Sequence, residues 1–107
     1  DSAEALLRIV DTVDHEWLGI NLDTGNFREQ PYENMAAVAH LALTVQIKIE
    51  LRTHDGSGVE NADYARIAAI LRNAGYRGYA ALEYEGKEDP MTAVPPILAT
   101  LRQTLAS

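Results

Sequence analysis

Three side chains with oxygen donors occupy similar positions in three separated parts of the chain. Asp23, Gln46 and Glu83 each lie in a short stretch where apolar and polar residues alternate. Such alternation is typical of a β-strand with one covered face. On adjacent parallel strands the three oxygens would converge, as Mg²⁺ or Mn²⁺ requires. A carboxylate at a strand end can also cap a helix or form a surface ion pair, so the pattern alone leaves these alternatives open.

The elements that would position these side chains alternate between helix and strand. Strands are predicted over 17–23, 44–51 and 79–85, and helices over 2–13, 31–42, 61–74 and 89–105. Ser2 and Asn61 are the predicted N-caps, because their short side chains can accept backbone hydrogen bonds. Pro95 and Pro96 are expected to shift the start of the last helix. The order α-β-α-β-α-β-α predicts crossover connections and parallel strands.

Each predicted strand has one apolar face and one polar face. The polar faces carry Asn21, Asp23, Gln46, Lys48, Glu50, Glu83 and Glu85. Parallel strands that are covered on both sides are apolar on both faces, so these strands differ from that pattern. In a (β/α)8 barrel, helices cover the outside, and the inner face at the C-terminal strand ends forms the active site. A small sheet with helices on one side and solvent on the other would alternate in the same way, but the βα order favours the barrel.

Three sequence elements resemble those of a known superfamily. They are NLDTGNFR at 21–28, VQIKIE at 45–50 and GYRGYAALEYE at 75–85, which DP follows at 89–90. In this order and spacing the chain resembles the sugar-phosphate isomerase/epimerase superfamily, whose members are xylose-isomerase-like TIM barrels. The resemblance implies an α/β fold in which residues 1–107 form one domain. That domain would be the C-terminal part, about strands six to eight, of a (β/α)8 TIM barrel.

The resemblance also implies roles for individual residues. Asp23, Gln46 and Glu83 match metal ligands, and Glu83 also matches a catalytic acid/base. Gln46 stands where relatives usually have histidine, and its neutral amide oxygen favours Mg²⁺ or Mn²⁺ over the alternatives Zn²⁺ and Co²⁺. Asn26 and Arg52 match positions that bind substrate.

Other polar residues at these strand ends have two interpretations each. Lys48 is a predicted contact of a substrate phosphate or hydroxyl, and charge compensation for Glu50 and Asp23 is the alternative. Glu85 shares the face of the predicted catalytic glutamate, and an ion pair with Lys48 or Arg77 is favoured over a ligand role. The loop 52–60 contains the GSG run at 56–58 and is predicted to be a flexible lid.

The reaction that the resemblance implies is proton transfer next to a carbonyl of a sugar or sugar phosphate. A divalent metal would polarise the carbonyl, and two carboxylates would remove and return the proton. Glu83 would be one of them, and the other would belong to strand five, before residue 1. A phosphodiesterase acting on abasic DNA is a competitor, but it requires more histidine ligands and a basic groove. A non-catalytic barrel fragment that serves as a binding or assembly module is the alternative from another class.

Composition excludes several classes of partner. The chain of 107 residues has a formal charge of −7, which disfavours nucleic-acid binding. No apolar run approaches the roughly 18 residues that cross a bilayer, so no membrane partner is expected. Cysteine is absent, which agrees with the predicted cytoplasmic location. Three strands cannot close a barrel, so we expect a homo-oligomer or a missing N-terminal half to cover the open strand edges.

Overall fold

The computed structural model describes residues 2–15 and 19–106. Helices and strands alternate as the hydrophobic pattern predicted, except between residues 42 and 61, where three strands follow one another. The helices are α1 (Ala3–Val13), α2 (Pro31–Val38), α3 (Tyr64–Asn73) and α4 (Pro90–Ala106), and a 3₁₀ turn spans Ala39–Leu41. The strands are β1 (Ile20–Asp23), β2 (Ala42–Lys48), β3 (Glu50–Arg52), β4 (Val59–Asn61) and β5 (Ala80–Glu83).

The main sheet has three parallel strands in the order β1-β2-β5. Asp23 of β1 lies opposite Gln46 of β2, and Lys48 of β2 lies opposite Glu83 of β5. The predicted adjacency and parallel direction of the three strands are therefore confirmed. The first strand was predicted to begin at residue 17, and residues 16–18 lie outside the described part of the chain.

The second predicted strand, 44–51, is two elements. β2 begins earlier, at Ala42, and ends at Lys48, where the chain bends at Ile49. Residues 50–52 then pair antiparallel with residues 59–61 and form a hairpin. The prediction of one continuous strand was wrong here, and residues 52, 59 and 60 of the predicted loop lie in the strands of the hairpin. The alternation of apolar and polar residues continues through the bend, because the hairpin also has a buried side chain, that of Leu51.

The hydrophobic core lies between the three-stranded sheet and the helices. Its members include Leu22, Val45 and Ile47 from the sheet and Met35, Val38, Ile67, Leu71 and Leu101 from the helices. Full burial of one such side chain contributes about 1.5–3 kcal/mol. The apolar face of each strand therefore packs on helices, and the opposite face carries the polar side chains.

The start of α3 differs from its prediction. α3 begins at Tyr64 and is capped by Asp63, whose Oδ1 accepts a hydrogen bond from Arg66 N at 3.1 Å. The predicted cap, Asn61, lies in β4 instead. Asn61 and Asp63 can both cap a helix. Because Asn61 pairs within the hairpin, Asp63 becomes the cap of α3.

The last helix contains two prolines in its interior. α4 starts at Pro90 and continues through Pro95 and Pro96 to Ala106, so the prediction that the prolines shift its start was wrong. Proline leaves the carbonyl four residues earlier without a donor. Here those carbonyls belong to Met91 and Thr92, which are exposed and can be hydrated. None of the described helices is long and apolar enough to cross a membrane.

A candidate active-site cleft at the C-terminal strand ends

The C-terminal ends of β1, β2 and β5 border an open cleft of about 670 Å³. Parallel strands place their C-terminal ends at one edge of a sheet, which explains why residues far apart in sequence meet there. The cleft is lined by residues 23, 25, 26, 48–50 and 83–88. Four of the six predicted site residues, Asp23, Asn26, Lys48 and Glu83, are among them.

The turn after β1 is held to β2 by Thr24, which is fully buried. Its N–H donates to the carbonyl of Gln46 at 3.0 Å, and its hydroxyl accepts from the N–H of Lys48 at 2.9 Å. Asp23 Oδ1 accepts from the N–H of Gly25 at 2.9 Å. Local backbone contacts therefore fix the Asp23 carboxylate.

Lys48 lies at the centre of the acidic side chains. Its Nζ is 2.7 Å from Glu85 Oε1, 2.9 Å from Glu83 Oε1 and 3.9 Å from Asp23 Oδ2. The Lys48 side chain is only 16% exposed, whereas the side chains of Glu83 and Glu85 are 42% and 64% exposed. The predicted ion pair between Lys48 and Glu85 is present. Charge compensation of Asp23 is also present, but Glu83 and Glu85 are the nearer partners.

The ion pairs determine the charge states of Lys48 and Glu85. Burial lowers the pKa of Lys48, but the hydrogen bonds to Glu85 and Glu83 and the charge of Asp23 outweigh it and raise the pKa to about 12. The hydrogen bond from Lys48 lowers the pKa of Glu85. At neutral pH the Lys48 side chain therefore carries a full positive charge.

The other predicted site residues lie at the margin of the cleft or beyond it. Gln46 is half-buried and lies between Asp23 and Ala81 in the sheet register, but it is not a lining residue. Asn26 is exposed at the rim, and its N–H donates to the carbonyl of Asp23 at 3.1 Å. Arg52 is exposed on β3 and does not line the cleft, so its substrate role stays a prediction.

Comparison with known families agrees with this architecture. A family model described as a xylose isomerase-like TIM barrel matches residues 1–104. The chain belongs to this family. The resemblance that the three sequence elements indicated is therefore confirmed. A comparison with curated proteins found no match. The parallel βα order and the cleft at the C-terminal strand ends are those of a xylose isomerase-like TIM barrel.

The predicted ligand set of this xylose isomerase-like chain fits a hard cation in its donor types. Asp23 and Glu83 flank β2 and face one point, the Lys48 ammonium, while Gln46 lies on the same strand face. Oxygen donors of this kind suit Mg²⁺ and Mn²⁺. In the part of the chain that the structure describes, no group of three or more His, Cys, Asp or Glu residues is placed to hold a metal ion. The predicted set adds the amide of Gln46 to the carboxylates of Asp23 and Glu83, and it stays a prediction.

Three lining residues of this family member escaped the sequence analysis. Tyr84, Lys87 and Glu88 follow β5, and the hydroxyl of Tyr84 accepts from the N–H of Glu88 at 3.2 Å. Their position directly after a strand, on the face where such barrels hold their sites, was the signal that could have found them.

Proposed function

We propose that this xylose isomerase-like chain forms about strands six to eight of a sugar isomerase or epimerase that acts on a sugar or sugar phosphate. The observation that supports the proposal is the meeting of Asp23, Lys48 and Glu83 in one cleft at the C-terminal strand ends. Barrels of this architecture hold their catalytic groups on that face.

The proposed chemistry assigns separate tasks to the acids. Asp23, Gln46 and Glu83 would hold Mg²⁺ or Mn²⁺, which when bound supplies a Lewis acid that polarises the substrate carbonyl. Glu83 would be one of two carboxylates that remove and return the proton at the carbon next to that carbonyl. The second proton-transfer carboxylate would come from strand five of the barrel. Asn26, at the exposed rim, would donate to a substrate hydroxyl.

A second candidate function is a non-catalytic binding or assembly module. Its support is that Lys48 already neutralises part of the acidic cluster through contacts of 2.7 and 2.9 Å with Glu85 and Glu83. In that case the ion pairs stabilise the end of the sheet, and no metal is required.

Metal analysis of the purified full-length protein distinguishes the two candidate functions. An isomerase should hold about one divalent ion per chain and should interconvert a ketose with its isomer or epimer. Treatment with a chelator should abolish the turnover, and Mn²⁺ should restore it. A protein without metal and without turnover of any sugar or sugar phosphate tested would support the non-catalytic module.

A further inference from the structure

We propose that Lys48 is a resident cation which a divalent metal displaces from Asp23 and Glu83, and that Glu85 retains the displaced ammonium. This inference rests on the proposed metal site and assigns to Lys48 a role that differs from substrate binding. Lys48 would then act as a positioning residue that sets how tightly the metal binds.

The argument begins with the position of the ammonium. Nζ of Lys48 lies 2.9 Å from Glu83 Oε1 and 3.9 Å from Asp23 Oδ2, so it lies between two of the three proposed ligands. A divalent metal would need the same oxygens at roughly 2.0–2.6 Å. Two cations that share these oxygens would be close neighbours and would repel each other strongly. Lys48 and the metal therefore compete for Asp23 and Glu83.

Glu85 gives the displaced ammonium a partner. It lies beyond the end of β5, is not a proposed ligand, and is 2.7 Å from Nζ of Lys48. Its side chain is 64% exposed, so it can follow the ammonium away from the strand ends. The ion pair with Glu85 can thus persist while the contacts with Glu83 and Asp23 break.

The packing of the lysine stem restricts this movement to its end. A Cβ added to Gly25 would lie 2.9 Å from Cγ of Lys48 and 3.4 Å from its Cε, so the turn after β1 lies directly against the stem. The backbone of Lys48 is also fixed, because its N–H donates to Thr24 Oγ1 at 2.9 Å. Exchange of the two cations therefore requires rotation near the ammonium and no movement of the strand.

Removal of the lysine charge should have opposite effects on the metal-free and metal-bound protein. Without metal, Asp23, Glu83 and Glu85 would repel one another, so Lys48→Met should lower the unfolding temperature. The variant also lacks the ammonium that competes with the metal. Mn²⁺ should therefore bind the variant roughly tenfold more tightly than the wild type, which is within the usual range for coupling between two ligands. The rise in unfolding temperature on addition of Mn²⁺ should then be larger in the variant than in the wild type.

The experiment measures Mn²⁺ affinity by titration calorimetry and unfolding temperature by calorimetric scanning, on the full-length protein. Lys87→Met is the matched control, because Lys87 lines the same cleft but forms no ion pair with a described residue. The control should bind Mn²⁺ as the wild type does. Mn²⁺ affinity in Lys48→Met equal to or below that of the wild type would overturn the inference and leave the proposed metal site standing. Absence of Mn²⁺ binding in both proteins would reject the metal site itself, and the inference with it.

A second comparison tests the role of Glu85 and does not depend on one variant folding. Glu85→Gln should weaken Mn²⁺ binding in the wild type but have little effect in the Lys48→Gln background, where there is no ammonium to retain. Lys48→Gln keeps an amide donor for the carboxylates and replaces Lys48→Met in all measurements if the methionine variant does not fold. An equal loss of affinity in both backgrounds would show that Glu85 acts only through its negative charge, which would overturn its assignment.

Discussion

The two oxygens of the Asp23 carboxylate have different environments. Oδ1 accepts the N–H of Gly25, and Oδ2 faces Lys48 at 3.9 Å. An asparagine can keep the first contact, because its amide oxygen also accepts a hydrogen bond. Asp23→Asn therefore removes charge at the proposed metal site without removing the turn. Glu83 has no such backbone contact among the described residues, and its Oε1 lies 2.9 Å from the Lys48 ammonium.

The first prediction compares these two acids in the complete protein. Glu83→Gln should lower isomerase or epimerase turnover by roughly 10²–10⁴, the usual contribution of general acid–base catalysis. Asp23→Asn should chiefly weaken metal binding, so saturating Mn²⁺ should restore more turnover to it than to Glu83→Gln. Steady-state kinetics over a Mn²⁺ series provide the comparison.

Glu88→Gln serves as the matched control for that series, because Glu88 is an acid that lines the same cleft but is not a proposed ligand. Equal recovery of the Asp23 and Glu83 variants would show that Glu83 is only a ligand. Full turnover of Glu83→Gln without added metal would end its assignment and would transfer the role to Glu85.

The second prediction concerns Asp55 at the tip of the hairpin. Its carboxylate accepts from the N–H and hydroxyl of Ser57 and from the hydroxyl of Thr53, and these hydrogen bonds lower its pKa to about 2. Because the unfolded chain has a pKa of about 4 here, the stabilisation is present above about pH 4 and is lost as the pH falls through about 2. An NMR titration of the carboxyl carbon measures this. A midpoint near 4 would contradict the hydrogen-bonded turn, and Asp55→Asn should remove this contribution to the pH dependence of unfolding.

At the scale of elements, the β3–β4 hairpin folds back over the segment before α2. The carbonyl of His54 accepts from the N–H of Gln30 at 2.9 Å, and Nδ1 of His54 lies 3.6 Å from Glu33 Oε1. Glu33 also meets Arg66 of α3 at 3.5 Å. The contacts of His54 join the hairpin to the start of α2, and Glu33 links α2 in turn to α3.

The third prediction concerns Gly56, where the hairpin lies directly against the segment before α2. Its φ is +76°, and an added Cβ would lie 2.7 Å from the carbonyl oxygen of Arg28. Gly56→Ala should therefore lower the free energy of unfolding by at least about 1–2 kcal/mol, the strain of a left-handed alanine. Urea unfolding measures the change.

Gly58→Ala is the control for that substitution, since a Cβ at Gly58 meets no atom within 4 Å. Its stability should change by no more than about 0.5 kcal/mol, as for a surface substitution. Equal stability of the two variants would mean that the turn accepts a side chain at residue 56, and that its contact with Arg28 is not tight.

At the scale of the whole molecule, the described part of the sheet has two outer strands with unpaired edges. β1 and β5 each pair only with β2 among the described strands. Apolar side chains are exposed at the other end of the sheet, where Leu43 is 63% exposed and Tyr79, next to β5, is 93% exposed. Unpaired strand edges and exposed apolar side chains favour association with another chain or segment.

The fourth prediction follows from these edges. A protein limited to residues 1–107 should self-associate at micromolar concentration, as light scattering would detect. Leu43→Lys should reduce the association, because it replaces an exposed apolar side chain of the sheet by a charge. Val59→Lys is the control, since Val59 is 57% exposed but lies on the separate hairpin. A monodisperse wild-type monomer would show that the edges do not need a partner.

Much of the fold was predictable from local pattern. Alternation identifies the covered face of each strand, because successive side chains point to opposite sides of a sheet. The βα order then predicts parallel strands, and the three sequence elements indicated the family. The end of β2 at Lys48 was not predictable in this way, because Leu51 of the hairpin is buried in the same alternating pattern as Ile47 of the sheet.

For the site, the amino-acid sequence by itself determined which residue types face the cleft, since alternation and strand position assign Asp23, Lys48 and Glu83 to one face. Only the tertiary structure decided which of them touch. Lys48 meets Glu85, 37 residues later, because the β2–β5 register sets Lys48 opposite Glu83 and brings the residues after β5 beside its ammonium. A register depends on the packing of all the helices on the sheet, and a shift by one residue would turn these side chains into the core. Local sequence cannot specify that balance. The pattern offered Lys48 or Arg77 as the partner of Glu85, but the choice of Lys48 and its contact with Glu83 became visible only in the tertiary structure.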